Sequence, residues 1–432
     1  METGEPLNVL LIFWLKKMID NFKTVLMVGL GYIGLPTAAI LASRKVKVVG
    51  LDVNERAVKT INRGEIHIVE PELDIIVRAA VTQGYLRATT KPEPADAFLI
   101  AVPTPFKDDH EPDLSCVESA VKSIAPVIKK GDLVILESTS PVGTTEQISV
   151  WLARARPDLS FPHQSGELAD VNIAYCPERV LPGKVVHELV SNDRVIGGMT
   201  ARCAQRAAAL YKIFVEAECI PTSARTAEMC KLTENSFRDV NIAFANELSI
   251  ICDKLGINVW ELIKLANHHP RVNILQPGPG VGGHCIAVDP WFIVSKTPEQ
   301  ARLIRVARQV NDDKPHYVAN QVLAAAGAVT TPVIACLGLA FKPDIDDLRE
   351  SPAMEIVQLL AGHGIGQLLV VEPHIQHLPP SLSGFGNIEL VVAGEAIKRA
   401  NIIVMLVSHK SFYDIDQQQL EGKQVIDTRG VW

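Results

Sequence analysis

Residues 24–36 read TVLMVGLGYIGLP, a short apolar run that passes directly into the glycine pattern GxGxxG. A segment with helical spacing of apolar residues follows, and a second apolar run, at residues 46–51, ends in Asp52. This order of strand, glycine turn, helix, strand and acid is typical of a dinucleotide-binding βαβ unit. The glycine pattern alone would be a weak indication, but its complete context is a strong one.

The three glycines have different predicted roles. Gly29 permits a tight turn, Gly31 lets the backbone approach a pyrophosphate, and Gly34 lets the helix pack closely on the strand. Tyr32 and Ile33 lie between them at the predicted helix N-terminus, where N–H groups face the phosphates. We therefore expect all five residues to contact a dinucleotide.

Asp52 comes 18 residues after Gly34, at the end of the second strand. A carboxylate there accepts hydrogen bonds from the adenosine ribose hydroxyls and would repel a 2′-phosphate. The sequence therefore predicts NAD, rather than NADP, as the cofactor. A glycine-rich turn without a ligand is the alternative, and the full motif disfavours it.

Strands and helices continue to alternate after this unit. Further apolar strands are predicted at residues 97–102, 132–136 and 172–176. Because ligands bind beyond the carboxyl ends of parallel strands, the hydroxyls of Thr104 and Thr139 are candidates for cofactor or water contacts. Helix capping or turn formation is the alternative for both. Glu178 and Arg179 follow the last of these strands, either as a surface salt bridge or as part of the site.

One long helix is predicted at residues 223–255, followed by Gly256 as a C-terminal stop. At 1.5 Å per residue it spans about 50 Å, enough to bridge two domains, and its apolar side suits a dimer interface. Lys231, Asn235 and Arg238 are spaced i, i+4 and i+7 and so share one face. That stripe is either a solvated face or a substrate-facing one.

Residues 276–290 read QPGPGVGGHCIAVDP and surround Cys285 with four glycines and three prolines. Such a loop has little side-chain bulk, so its backbone can press against a ligand and present the thiol. A buried structural cysteine is the alternative, and the loop alone favours neither. The motifs on either side of it favour a reactive thiol.

The βα pattern restarts at residues 333–337, after a helical connection over residues 302–326 in which Pro315 is predicted to mark a break. Later strands are predicted at residues 368–372, 401–407 and 424–427. This second Rossmann-like segment lacks GxGxxG. Lys342 and Arg349, near its first strand end, suit a phosphate-bearing ligand other than NAD.

Length and composition narrow the class of protein. A chain of 432 residues predicts two or three domains. The net charge of -7 makes nucleic acid an improbable partner. The eight cysteines occur singly, without a CxxC pair, which fits a reducing cytoplasm. The adjacent His268 and His269 lack further ligands at metal spacing, so we expect no metal.

The N-terminal residues differ from the rest. The apolar run at residues 7–15 is too short for a transmembrane helix, and basic residues follow it rather than precede it, unlike a secretory signal. We expect residues 1–17 to be an extension outside the fold, with Met18 as a candidate start. No association with a membrane is expected.

The chain resembles the UDP-glucose/GDP-mannose dehydrogenase family over about residues 24–432. The motifs that carry the resemblance are GLGYIGLP (29–36), VPTP (102–105), STSPVG (138–143), CPERVLPG (176–183), EMCKLTENSFRDVNIAFANE (228–247), PGPGVGGHCIAVDP (277–290) and GLAFKPDIDDLRESP (338–352). The resemblance implies an α/β fold with two Rossmann-like doubly wound domains joined by a central helical region with one long helix. The implied division is an N-terminal extension (1–23), an NAD-binding domain (24–222), a central dimerisation and catalytic domain (223–312) and a UDP-sugar-binding domain (313–432).

The resemblance also implies a four-electron oxidation of a primary alcohol by NAD. The sugar C6 hydroxyl loses a hydride to give an aldehyde, which Cys285 attacks to form a thiohemiacetal. A second NAD takes another hydride to leave a thioester, and water then releases the uronate. Replacement of Cys285 by alanine is expected to abolish uronate formation while UDP-sugar binding stays largely intact.

The other catalytic roles come from the same family pattern. Lys231 donates to a developing oxyanion or acts as a base, and Asn235 helps to hold that oxygen or a water. Glu178 activates or positions water with the Thr139 hydroxyl as its partner. Asp289 orients the catalytic groups.

Substrate contacts are implied at eleven positions: Arg179, Val180, Lys231, Asn235, Arg238, His269, Arg271, Gly282, Phe341, Lys342 and Arg349. Arg429, in the final DTRGVW, is a further candidate. The UDP-glucose branch of the family carries Glu-Phe-Leu-Arg-Glu where this chain has ERVLP at residues 178–182, and HHPRVN at residues 268–273 is characteristic of the N-acetylmannosamine branch.

The expected reaction is therefore oxidation of UDP-N-acetyl-D-mannosamine at C6 to UDP-N-acetyl-D-mannosaminuronate, for synthesis of enterobacterial common antigen, by a cytoplasmic homodimer. Oxidation of UDP-glucose or UDP-N-acetylglucosamine is the alternative within the family. A two-electron 3-hydroxyacid dehydrogenase would not need Cys285 or the second Rossmann-like domain. A non-enzymatic nucleotide-sugar sensor would retain the nucleophile without using it.

Overall fold

The computed structural model describes residues 22–107, 110–181, 183–283 and 285–432. The expected extension at residues 1–17 lies outside these ranges. The chain divides into two compact units, residues 1–232 and 233–432. The boundary between them falls inside the long helix, and the division into an extension and three domains stays a prediction.

The first unit is built on a sheet of short, apolar strands. Its strands are β1 (Thr24–Val28), β2 (Lys47–Leu51), β3 (Leu86–Thr89), β4 (Ala97–Ile100), β5 (Leu133–Leu136), β6 (Asn172–Tyr175), β7 (Arg194–Gly198) and β8 (Cys219–Ser223). Among the described residues, their order is β3-β2-β1-β4-β5-β6-β7-β8. All neighbours pair in parallel except β6 and β7, which are antiparallel. The mostly parallel order confirms the doubly wound fold predicted for this part of the chain.

Helices connect these strands. They are α1 (Gly34–Ser43), α2 (Glu55–Asn62), α3 (Leu73–Thr82), α4 (Ser115–Ile124), α5 (Thr144–Ala155), α6 (Pro162–Ser165), α7 (Val185–Ser191) and α8 (Ala201–Tyr211). Successive residues of a strand point to opposite faces of the sheet, so Val25 and Met27 of β1 join one hydrophobic core while Leu26 and Val28 join another. A strand buried on both faces explains why its sequence is apolar without alternation.

The long helix α9 (Ala224–Leu255) carries the boundary between the units. The second unit continues with α10 (Val259–Ala266), α11 (Asp289–Lys296), α12 (Arg302–Gly327), α13 (Pro352–Gly362), α14 (Pro380–Ser383) and α15 (Ala393–Arg399). Its strands are β9 (Val333–Leu337), β10 (Gln367–Val371), β11 (Ile388–Leu390), β12 (Ile402–Met405) and β13 (Gln424–Asp427). They form a parallel sheet in the order β11-β10-β9-β12-β13, which confirms the predicted second Rossmann-like fold.

The predicted helix break at Pro315 is wrong, because α12 continues through this residue. An internal proline removes one backbone hydrogen bond and costs about 3 kcal/mol. Burial of Val318, Ala319 and Val322 on the next turns offsets that cost, since all three belong to the core of the second unit. Among the described helices, none combines the length and the apolar composition that a crossing of the bilayer requires.

Candidate active site

The turn between β1 and α1 has the geometry that its glycines predict. Gly29 has a φ of +90°, and a Cβ atom there would lie 2.4 Å from the carbonyl oxygen of Ala101. A Cβ atom on Gly34 would lie 1.9 Å from the carbonyl oxygen of Gly29. Neither position therefore accepts a side chain without a backbone shift. A Cβ atom on Gly31 would meet no described atom within 4 Å, so the space in front of this residue fits a pyrophosphate.

Asp52 is fixed beside this turn by two backbone hydrogen bonds. Its carboxylate accepts from the N–H of Leu30 at 2.8 Å and from the N–H of Asn54 at 2.8 Å. Tyr32 and Ile33 lie at the start of α1, the former exposed and the latter half-buried. Six of the residues predicted to bind NAD (Gly29, Gly31, Tyr32, Ile33, Gly34 and Asp52) thus lie together at the carboxyl ends of β1 and β2, and they fit the cofactor.

The loops after β4 and β5 are joined through two hydroxyl groups. Thr104 Oγ1 donates to the carbonyl oxygen of Thr139 at 2.6 Å, so the structure brings these two predicted residues together. Ser138 Oγ accepts from the N–H of Val102 at 2.9 Å and donates to its carbonyl oxygen at 2.7 Å. Ser138 was not predicted, although its place in the STSPVG motif is a signal that could have found it.

The first turns of α9 hold the same STSPVG segment. The carboxylate of Glu228 accepts from the N–H of Gly143 at 2.7 Å and from the N–H of Thr145 at 2.8 Å. It also accepts from the Thr145 hydroxyl at 2.6 Å. Glu228 is fully buried, so these bonds satisfy an otherwise costly charge and fix the start of α5. Its role as a cap was not predicted.

Glu178 follows β6 and lies in a buried ion pair. Its Oε2 atom accepts from Arg194 Nη1 at 2.6 Å, and its Oε1 atom accepts from the N–H of Arg179 at 2.6 Å. Arg194, at the start of β7, is 2% exposed and also donates to the carbonyl oxygen of Leu189 at 3.1 Å. The Arg179 guanidinium donates to the carbonyl oxygen of Asp193. The sequence predicted Glu178 as a catalytic carboxylate but did not indicate Arg194 as its partner.

A second buried acid, Glu137, belongs to the same cluster. The Tyr211 hydroxyl donates to Glu137 Oε1 at 2.6 Å. Burial raises the pKa of Glu137 to about 7, against the opposing effect of the Tyr211 hydrogen bond and with a further increase from the charge of Glu178. Burial likewise raises the pKa of the nearby Cys176 thiol to about 12, so this cysteine is inert. The cluster therefore contains the ion pair of Glu178 with Arg194 and one further acid, Glu137, whose pKa is raised to about 7.

The raised pKa of Glu137 makes the stability of the folded chain depend on pH. Because folding raises its pKa, the folded chain binds more protons than the unfolded chain between about pH 4.5 and 7, and the free energy of unfolding falls as the pH rises through this window. Glu137→Gln removes this effect. Between pH 5 and pH 8, we expect the free energy of unfolding of the unchanged chain to fall by on the order of 2 kcal/mol more than that of the variant. Both free energies are obtained from denaturant unfolding.

The control for that experiment is Glu216→Gln, whose side chain is 76% exposed. It should show the same pH dependence as the unchanged chain. Equal pH dependence in Glu137→Gln and in the unchanged chain would contradict the assignment of a raised pKa to Glu137.

The loop with Cys285 belongs to the second unit, and the thiol-bearing residue is exposed. The carbonyl oxygen of Cys285 accepts from the N–H of Val288 at 3.1 Å and from the N–H of Asp289 at 2.9 Å, which forms the turn into α11. Asn235 of α9 donates its amide to the buried carboxylate of Asp289. Three predicted catalytic residues therefore meet here: Cys285, Asp289 and Asn235.

The glycines of this loop allow close contact with the C-terminal segment. A Cβ atom on Gly282 would lie 2.3 Å from the carbonyl oxygen of Glu350 and 3.0 Å from Phe341 Cβ. A Cβ atom on Gly278 would lie 2.7 Å from Arg429 Nη1. The predicted pair Gly282 and Phe341 is thus brought together, and Arg429 lies against the same loop.

Other predicted substrate residues have different surroundings. Lys342 and Arg349 lie after β9, both exposed, and Arg349 forms an ion pair of 2.7 Å with Asp347. His269 and Arg271 are exposed on the segment after α10, where the N–H of Arg271 donates to the His269 ring at 3.3 Å. The roles of these four residues in substrate binding stay predictions.

The remaining predicted residues lie on α9 and after β6. Lys231 is half-buried and lies one residue before the end of the first unit. Arg238 is exposed on the part of α9 that belongs to the second unit. Val180 is half-buried and packs against the core of the first unit. The roles assigned to these residues also stay predictions.

One group of described residues has the composition of a metal site: Asp344, His374 and His409. The Nδ1 atom of His409 accepts from the N–H of Asp344 at 2.9 Å, so its Nε2 atom carries the proton and donates to Glu372 at 3.1 Å. Both ring nitrogens are therefore occupied. A metal at this group would have to break a buried hydrogen bond.

Comparison with known proteins establishes the family. Three models of the UDP-glucose/GDP-mannose dehydrogenase family match the chain: the NAD binding domain at residues 23–215, the central domain at residues 225–313 and the UDP binding domain at residues 335–432. The chain belongs to this family, and it is an NAD-dependent dehydrogenase. The glycine turn and Asp52 are the features of its first unit that this assignment explains.

Similar proteins carry two different substrate names. An NDP-N-acetyl-D-galactosaminuronic acid dehydrogenase of Ralstonia nicotianae is 66% identical over 95% of this chain and 97% of its own length. A UDP-N-acetyl-D-mannosamine dehydrogenase of Yersinia pestis is 66% identical over 95% of this chain and 100% of its own length. Among solved structures, the UDP-D-ManNAc dehydrogenase of Pyrococcus horikoshii is 37% identical with a TM-score of 0.84, over 95% of this chain and 96% of that one.

Proposed function

We propose that this chain oxidises UDP-N-acetyl-D-mannosamine at C6 to the uronate, with two NAD consumed per sugar. The observation that carries the proposal is the exposed Cys285 on a loop whose following turn is held by the pair Asn235 and Asp289. A two-electron alcohol dehydrogenase has no need of such a thiol. The similarity to the Yersinia pestis enzyme supports the choice of sugar.

The proposed mechanism uses the thiol as a covalent catalyst. NAD, when bound, accepts one hydride in each of the two oxidations. The Cys285 thiolate attacks the aldehyde carbon, and its sulfur stays bonded through the thiohemiacetal and the thioester until water displaces it. Lys231 stabilises the negative charge that develops on the carbonyl oxygen, with Asn235 as a second donor. The Asn235 amide is oriented for this by Asp289.

Glu178 is proposed to position the hydrolytic water with Thr139. Its ion pair with Arg194 keeps the carboxylate in one orientation, and this favours the positioning of water over removal of its proton. The proposed pathway is the supply of a uronic acid for enterobacterial common antigen in the cytoplasm. The family motifs support this pathway, and cysteines that occur singly, without CxxC pairs, support the cytoplasmic location.

A second candidate is oxidation of a nucleotide-linked N-acetyl-D-galactosamine. The Ralstonia nicotianae relative is as similar to this chain as the Yersinia pestis one, so sequence identity alone does not separate the two sugars. UDP-glucose and UDP-N-acetylglucosamine remain the further alternatives.

The test is the amount of NADH formed per mole of sugar. UDP-N-acetylmannosamine, UDP-N-acetylgalactosamine, UDP-glucose and UDP-N-acetylglucosamine are supplied in parallel to the full chain. About two NADH per sugar with the mannosamine compound alone supports the proposal. About one NADH per sugar contradicts the thioester mechanism, and turnover of another sugar alone contradicts the choice of substrate.

We also propose a homodimer through α9. Phe237, Phe244 and Ile251 are 69%, 51% and 45% exposed and recur every seven residues, which is the spacing of a helix-packing seam. We expect Phe244→Glu to give a monomer in sedimentation experiments at micromolar concentration, because the charge would be buried in the seam. Glu299→Lys, a charge reversal at an exposed position outside α9, is the control. A dimeric Phe244→Glu variant would contradict the proposed interface.

A further inference from the structure

A buried polar network reaches both ends of the Cys285 loop. At the start of the loop, the N–H of Gly278 donates to Asn246 Oδ1 at 2.8 Å. At its end, the carbonyl oxygen of Ile286, the residue after Cys285, lies 3.4 Å from Arg308 Nη1. Asn246 belongs to α9 and Arg308 to α12, so two helices of the second unit hold the loop.

The network is continuous between these two contacts. Asn246 Nδ2 donates to Asn311 Oδ1 at 2.9 Å, and Asn311 Nδ2 donates to Asp239 Oδ1 at 2.8 Å. Arg308 Nη1 donates to the same Asp239 oxygen at 2.5 Å. All four side chains are at most 1% exposed. A shift of one member therefore disturbs the others, because water cannot replace the lost bonds.

Stability alone does not account for this arrangement. A buried ion pair such as Asp239 and Arg308 is often no more stabilising than apolar side chains of the same volume. Burial also raises the pKa of Asp239 to about 6, against the effect of Arg308, so the charged form carries a cost. Beyond the two helices, the network bonds to the loop at Gly278 and Ile286. We therefore take the main effect of the network to be that it fixes the position of the Cys285 loop.

We propose that Asn246 and Arg308 are positioning residues for Cys285, which hold the two ends of its loop so that the thiol meets the aldehyde carbon. This inference rests on the proposed thioester mechanism. The glycines between Gly278 and Gly283 carry no side chains that restrain the loop. Its position therefore depends on the contacts at Gly278 and Ile286, together with the close packing of Gly282 against Glu350 and Phe341. A displacement of about 1 Å in a reacting group can cost about a hundredfold in rate.

The test separates the two oxidations of the full chain. In Asn246→Ala, we expect the second oxidation to slow by about tenfold or more while the first stays within about twofold. The aldehyde then escapes, so trapping with hydroxylamine should detect it, and NADH per sugar should fall from about two toward one. Arg308→Lys keeps the charge but loses the planar fork, and we expect a smaller change in the same direction.

The matched control is Asn62→Ala in the first unit. The Asn62 side chain also holds backbone groups, accepting from the N–H of Ala88 at 2.7 Å and donating to its carbonyl oxygen at 2.9 Å. It should lose stability without releasing aldehyde. If Asn246→Ala and Arg308→Lys release no more aldehyde than the unchanged chain, the inference is wrong.

A second measurement keeps the inference testable if no UDP-sugar is oxidised and the proposed function fails. The rate at which iodoacetamide alkylates Cys285 is measured by mass spectrometry from pH 6 to pH 9. We expect Asn246→Ala and Arg308→Lys to change this rate severalfold and Asn62→Ala to leave it unchanged. An unchanged alkylation profile in both network variants would overturn the positioning role by itself.

Discussion

Cys285→Ala is expected to abolish uronate formation while UDP-sugar binding stays close to that of the unchanged chain. The thiolate is the proposed nucleophile, and alanine offers no atom that can form the thioester. Loss of a covalent nucleophile reduces the rate by on the order of a thousandfold or more. Binding is preserved because Cys285 is exposed and its truncation leaves no cavity in a core.

Two measurements test this expectation. Chromatography with mass spectrometry quantifies the uronate, and calorimetric titration gives the affinity for UDP-N-acetylmannosamine. Cys116→Ala, which removes another exposed thiol, is the control and should keep full activity. Uronate formed at the normal rate by Cys285→Ala would end the thioester mechanism, and a lost affinity would indicate that the thiol contributes to binding instead.

Gly34→Ala and Gly31→Ala are expected to differ in their effects on stability and cofactor binding. A Cβ atom on Gly34 would lie 1.9 Å from the backbone oxygen of Gly29, so β1 or α1 must move. Overpacking of this kind costs about 1–3 kcal/mol, and it deforms the turn that faces the pyrophosphate. We expect Gly34→Ala to lower the free energy of unfolding and to weaken NAD binding together.

Gly31→Ala should separate these two properties. Its Cβ atom would meet no described atom within 4 Å, so the free energy of unfolding should change by less than about 0.5 kcal/mol. The same atom would occupy the space of the pyrophosphate, and we expect NAD affinity to fall by about tenfold or more. Denaturant unfolding and calorimetric titration with NAD check both variants. Normal NAD binding by Gly31→Ala would show that the cofactor does not approach this turn.

The strands, the glycine turn and the long helix were predictable because each follows from local rules. Apolar runs between turn residues predict buried strands. The positive φ at position 29 explains why that residue is a glycine. The predicted break at Pro315 was wrong for the opposite reason. A local rule disfavours proline inside a helix, but packing of the following turns against the core offsets it.

The partners of the site residues were not predictable in the same way. Glu228 is 83 residues from Thr145, and Asn246 is 65 residues from Asn311, yet each pair is hydrogen-bonded. No periodicity connects such positions, and an acid or amide on a helix looks the same in sequence whether it is solvated or buried. Arg194 carried no signal at all, since it opens an ordinary strand.

The sequence by itself determined the α/β class, the NAD turn and the presence of a glycine-flanked cysteine, because these depend on residue type, spacing and backbone sterics. Only the tertiary structure decided that Glu178 is neutralised by Arg194, that Glu137 is a buried acid, and that Asn246 holds the start of the Cys285 loop. The physical reason is burial. Hydrogen bonds and charges acquire their partners and their strength only when packing removes water from around them.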